Sequence, residues 1–124
     1  MATKAVHEHR DRVAALGCMA MVGNIRCRAP ATIQHARAGS LKSRGIHRAK
    51  GMKNSEWLII PLCARHHYLE EGADSSMGVV TWEAKYGKQA DMIDELCVIF
   101  DLNLWDLARA ESKGMVPRRP MFLQ

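Results

Sequence analysis

Three of the four cysteines (Cys18, Cys27, Cys63) and all six histidines (His7, His9, His35, His47, His66, His67) of this 124-residue chain lie in its first 67 residues. Thiolate and imidazole are the donors of tetrahedral zinc sites, which draw ligands in pairs from different structural elements. Cys63-x-x-His66 has the spacing that lets both side chains grip one ion at the turn into a helix. Cys18 and Cys27 form a looser second pair, with Met21 where a second knuckle cysteine would sit. The expected structural zinc set is therefore Cys18, Cys27, Cys63 and His66, the alternative being that Cys18 and Cys27 are small buried residues. Neighbouring side chains on a helix point about 100° apart, so His67 can face a second site while His66 faces the zinc. Taken alone, His67 also reads as an ordinary surface histidine.

Two Phe, two Tyr and three Trp are few rings for a core, so aliphatic residues and Met must fill it, and a zinc ion would add to its stability. The length and the 48% apolar content suit one domain over 1–113, followed by a basic tail at 114–124 expected to be flexible. No apolar run approaches the roughly 18 to 20 residues that cross a bilayer, and the opening MATKAVHEHRDR lacks a signal-peptide core. These features predict a cytoplasmic protein, where cysteines serve as ligands, reactive thiols or core residues rather than disulfides. The formal charge of +5 is concentrated: Arg26, Arg28, Arg37, Lys42, Arg44, Arg48, Lys50 and Lys53 fall in a stretch without a single acid. Such a stretch repels itself unless a polyanion lies against it, which points to DNA phosphates. Arg37, Lys42, Arg44, Arg48, Lys50 and Lys53 are the candidate contacts, against the plain alternative of a solvated loop.

Helical periodicity predicts an N-terminal helix over 4–16 stopped by Gly17. A turn-rich stretch follows to Pro30, a loop or a short ribbon, then a strand over 31–36, the basic loop, and a second strand over 57–60 that Pro61 should end. Cys63 to Glu71 reads as a short helix, giving the order strand, strand, helix within about 18–72. Thr81 is expected to cap a turn holding Trp82 and Tyr86, and a longer helix from about Lys88 carries Ile93, Leu96, Cys97 and Phe100 on one face. Cys97 is thus a core residue. Asn103 caps a last helical piece, so the C-terminal helices span about 81–110. The fold class is α+β.

His35 lies on the first strand of this unit, which is expected to pack on the Cys63 helix, and a neutral imidazole can take a proton from water near pH 7. A divalent ion nearby would polarise a phosphate oxygen and stabilise the leaving alkoxide.

With TIQHARAG around His35 and WLIIPLCARHH leading into the helix, the pattern resembles the HNH, or ββα-metal, nuclease superfamily. It is closest to the phage recombination-enhancement nucleases, through VAALGC at 13–18, IPLCARHH at 60–67 and TWEAKYG at 81–87. The resemblance implies a zinc-stabilised ββα-metal core with flanking helices and a DNA endonuclease that uses Mg²⁺ or Mn²⁺, phage or prophage encoded, in some members acting with a recombinase filament. It makes His35 the general base, His67 a ligand of the catalytic ion, and Cys18, Cys63 and His66 zinc ligands; Cys27 is inferred from this chain alone.

This chain also departs from that pattern. Gln34 stands where members place a metal-binding His or Asp, and a neutral carbonyl is a weaker ligand for a hard cation. No histidine lies between Gly72 and Val80, where Asp74 is the substitute. Asn54 or Glu56 can take the middle position of the motif, and His47 is either a further ligand or a loop residue. Two functions follow: a metal-dependent DNA endonuclease linked to recombination, or a catalytically degenerate zinc protein that binds DNA or a protein partner as a regulator.

Overall fold

Successive amide-to-carbonyl bonds bring the middle of the chain back on itself, and in the computed structural model they define four short strands and five helices among residues 3–46, 55–69 and 71–112, the part of the chain described here. Helix α1 (Lys4–Ala14) starts at Thr3, whose hydroxyl accepts from the Val6 amide at 3.2 Å. It ends earlier than expected, and Gly17 turns the chain with φ +80°, where an added Cβ would meet the Arg28 carbonyl oxygen at 2.8 Å. Of the two expected forms, a loop or a short ribbon, the chain takes the ribbon: strands β1 (Met21–Val22) and β2 (Ile25–Arg26) pair around Gly23-Asn24, in register Met21 with Arg26 and Val22 with Ile25.

Strand β3 (Thr32–His35) pairs antiparallel with β4 (Ile59–Leu62), with Thr32 opposite Leu62, Gln34 opposite Ile60 and His35 opposite Ile59. The expectation that Pro61 ends the second strand is overturned: β4 begins two residues later and runs through it. Pro61 sits opposite Ile33 at a position whose carbonyl points away from β3 and accepts from the Met19 amide at 2.9 Å. Its missing N–H would also have pointed outward, so the ladder loses nothing.

Helix α2 is a single turn (Ala64–His67), shorter than expected, because the chain folds back on it: the Ala73 and Asp74 amides donate to the His66 and His67 carbonyls at 2.9 and 2.8 Å. Helix α3 (Val79–Tyr86) starts before Thr81, which lies inside it rather than at its cap. Helix α4 (Gln89–Phe100) buries Ile93, Leu96 and Cys97 as its periodicity predicts, while Phe100, the fourth residue of that face, is only partly buried at the helix end. Helix α5 (Leu104–Ser112) begins after Asn103, which caps it by accepting from the Asp106 amide at 3.1 Å. Helix α1 packs on β3 and β4, and α4 packs on β4 and on a 3-10 segment, Gly39–Arg44. No helix among the described residues is long and apolar enough to cross a membrane. The expected tail at 114–124 lies outside the described residues.

Two buried polar side chains shape this core. Glu83, 9% exposed, accepts from the Ser40 amide at 2.8 Å and the Gln89 amide at 2.7 Å, and also from the Ser40 hydroxyl. One carboxylate thus ties the 3-10 segment to the starts of α3's neighbour α4 and to α3 itself. Glu83→Ala leaves those donors unmet, and should lower unfolding free energy by about 3 kcal/mol in chemical denaturation.

His9 is 2% exposed between Trp57 and Phe100, with ring centroids at 5.2 and 5.7 Å, and neither ring nitrogen makes a well-formed hydrogen bond among the described residues. Burial lowers its pKa from 6.5 to about 4; the nearby Trp57 backbone opposes the shift and the Arg12 charge adds to it. The unfolded chain therefore takes a proton on His9 first. The stability of the neutral ring is full above pH 6.5 and is lost as pH falls towards 4, by roughly 3 kcal/mol. Urea titrations of wild type and His9→Leu across this range should show that component in the wild type only.

Candidate metal centre and adjoining polar site

The β1–β2 ribbon closes through the Cys18 amide to Ala29 carbonyl bond at 2.9 Å and the Cys27 amide to Ala20 carbonyl bond at 2.9 Å, which brings Cys18 and Cys27 together. Met19, bonded to Pro61, holds the ribbon against β4, so both thiols face Cys63 just beyond the strand. Cys63 is the N-cap of α2, and its carbonyl accepts from the His66 amide at 3.1 Å. One helical turn then places His66 Nδ1 3.3 Å from Cys63 Sγ and 3.4 Å from Cys18 Sγ, with Cys27 Sγ 3.9 Å from Cys63 Sγ.

All four donor atoms lie within 4.8 Å of one another. A tetrahedral zinc ion requires sulfurs about 3.8 Å apart and sulfur-to-nitrogen separations of about 3.6 Å, so donor chemistry and geometry fit zinc. All four cysteines are free thiols. Burial pushes the Cys18 thiol up to about 12, with the Cys63 and Cys27 sulfurs adding to the shift despite backbone bonds that oppose it. Burial works in the same sense on Cys63, but bonds from the His66 backbone and from the Cys18 and Cys27 thiols outweigh it, and its pKa is lowered. His66 is held neutral chiefly by burial, the state that ligates. Cys27, not Met21, completes the set.

The other face of α2 carries a second polar group. His67 Nε2 lies 3.3 Å from Asp74 Oδ2, and its Nδ1 lies 2.6 Å from the Thr32 hydroxyl. Asp74 Oδ1 accepts from the Gln34 amide nitrogen at 3.1 Å and from the Arg37 guanidinium. Gln34 is 1% exposed and enters the site through its amide group as a brace for Asp74. The His67 pKa is lowered mainly by burial; the Asp74 charge and the hydrogen bond Asp74 can accept from the protonated ring oppose this, and the Arg37 and His35 charges reinforce it.

His35 Nε2 lies 2.9 Å from Glu56 Oε1. A carboxylate only accepts, so the Nε2 proton is fixed and a neutral His35 has its lone pair on Nδ1. The sequence left Asp74 and Glu56 as two among several candidates for completing this site; the structure brings both to the histidines. Thr32 carried no recognisable chemistry in the sequence, and only its strand position opposite Leu62 would have pointed to it.

The basic stretch is less free than its sequence implies. Arg44 binds Asp94 through both terminal nitrogens, Arg26 pairs with Glu95 and Arg37 with Asp74. Lys42 is exposed. His47, Arg48, Lys50, Lys53 and Asn54 lie outside the described residues. No family model, curated protein or solved structure matches the chain.

Metal analysis of purified protein should find one zinc per chain, retained through desalting. Cys63→Ser and His66→Ala should each lose it, and a strong zinc chelator should lower the wild-type melting temperature by more than about 10 °C.

Proposed function

We propose that this chain is a metal-dependent DNA endonuclease of the ββα-metal kind, with a structural zinc on Cys18, Cys27, Cys63 and His66. The observation that carries the reading is the pairing of two histidines with two carboxylates, His67 with Asp74 and His35 with Glu56, on β3 and α2 beside the zinc-type cluster. The order of an antiparallel strand pair followed at once by a helix supports it.

In this reading His67 and Asp74 would hold a magnesium or manganese ion, which when bound would supply Lewis-acid polarisation of a phosphate oxygen and charge stabilisation for the leaving alkoxide. His35 takes the proton of the attacking water at Nδ1, while Glu56 fixes the ring and stabilises its charged form. Arg37, held on Asp74, faces the same phosphate, and Lys42 with Arg48, Lys50 and Lys53 adds attraction for the DNA backbone. Action beside a recombinase filament, within a bacterial cell carrying the phage or prophage, belongs to this proposal.

A second reading is a zinc protein that binds DNA or a protein partner without cutting. It is favoured by Asp74, whose Oδ1 already takes bonds from both Gln34 and Arg37. The zinc-loaded chain, incubated with single-stranded, duplex and branched DNA and with Mg²⁺ or Mn²⁺, should cleave at least one of them. His35→Ala should cut at least about 100-fold more slowly and Glu56→Gln about 10-fold more slowly. Absence of cleavage under every condition, with or without a recombinase filament, leaves the binding reading.

A further inference from the structure

We infer that Thr32 is a positioning residue that fixes the tautomer of His67, so that the Nε2 lone pair rather than an N–H faces Asp74. The inference rests on reading the His67–Asp74 pair as a divalent-cation site. A hydroxyl has one proton to give. The Thr32 hydroxyl donates to the Leu62 carbonyl at 2.9 Å, and the same oxygen lies 2.6 Å from His67 Nδ1. Its proton is therefore already spent, and the short contact to the ring needs the proton on Nδ1.

The opposite arrangement, Thr32 donating to Nδ1, would leave its oxygen 2.9 Å from the Leu62 carbonyl with no proton between them. Two oxygens that close repel. A neutral imidazole in water prefers the Nε2–H form, so the strand hydroxyl works against the default.

The consequence falls on the other side of the ring. With Nδ1 donating, neutral His67 presents a bare Nε2 3.3 Å from Asp74 Oδ2, two lone-pair donors converging without a proton. A divalent cation fits such a pair. An Nε2–H ring would instead bond Asp74 and block it. Thr32 is held for this task by the β3–β4 register, directly opposite Leu62, the residue that precedes the Cys63 ligand. The tautomer is thus set by backbone pairing.

The test uses the full, zinc-loaded chain. Long-range ¹H–¹⁵N NMR at mildly alkaline pH reads the His67 tautomer, and manganese titration reads the second site without requiring cleavage. Wild type should show Nδ1–H. Thr32→Val should revert to Nε2–H and bind Mn²⁺ about 10-fold to 100-fold more weakly, whereas Thr32→Ser should keep the wild-type tautomer and affinity. Unchanged zinc content in all three shows that the fold persists. A wild-type ring carrying Nε2–H, or a Thr32→Val protein with unaltered tautomer and affinity, overturns the inference. A wild-type protein that shows Nδ1–H but cuts no DNA supports the inference and counts only against the nuclease reading.

Discussion

The donor atoms of Cys18, Cys27, Cys63 and His66 come from both arms of the β1–β2 ribbon, the end of β4 and the single turn of α2. None of these pieces is long enough to be stable alone; two-residue strands and a four-residue helix lack the internal bonds that isolated elements need. Their meeting point therefore decides whether this half of the molecule is ordered. Zinc bound by four such ligands contributes an apparent free energy of about 10 to 16 kcal/mol in small zinc domains, comparable to the whole stability of an ordinary domain. Among the described residues the opposite half relies on different forces: α4 and α5 bury aliphatic faces, and Glu83 and Asp94 tie them to the 3-10 segment.

The polar site inherits its geometry from that meeting point. His66 and His67 are consecutive residues of one turn, so fixing the first imidazole in the cluster fixes the direction of the second. The return of the chain from Ala73 and Asp74 onto the carbonyls of the same two histidines then delivers a carboxylate to His67. Support of one site and construction of the other are the same local event. An ion held at His66 would act on the neighbouring chemistry by restraint, without touching it.

What the sequence made legible was what has a short range or a strict period. Cys63-x-x-His66 declares itself by spacing, and the α4 face by its helical repeat. The strand pair was legible as a pair, but its register was not, since Pro61 looks like a stop unless the outward direction of its nitrogen is known. The partners Asp74 and Glu56 depend on how loops return, and no local pattern encodes which of several acidic or amide residues arrives. Charge was the least legible property. A run of arginines reads as one basic surface, yet Arg26 and Arg44 reach across the fold to acids on α4, about which their own neighbours say nothing.

Pro61 and Met19 have a further effect at the outer side of β4. A strand in a two-stranded sheet normally offers a row of open donors and acceptors that a second molecule can extend, the usual route to edge-to-edge association. Here the ring removes the donor at Pro61, and its carbonyl is already taken by Met19. The ribbon that supplies two of the four sulfur and nitrogen donors thus also serves as a bumper, guarding the sheet against self-pairing where it would otherwise be most adhesive.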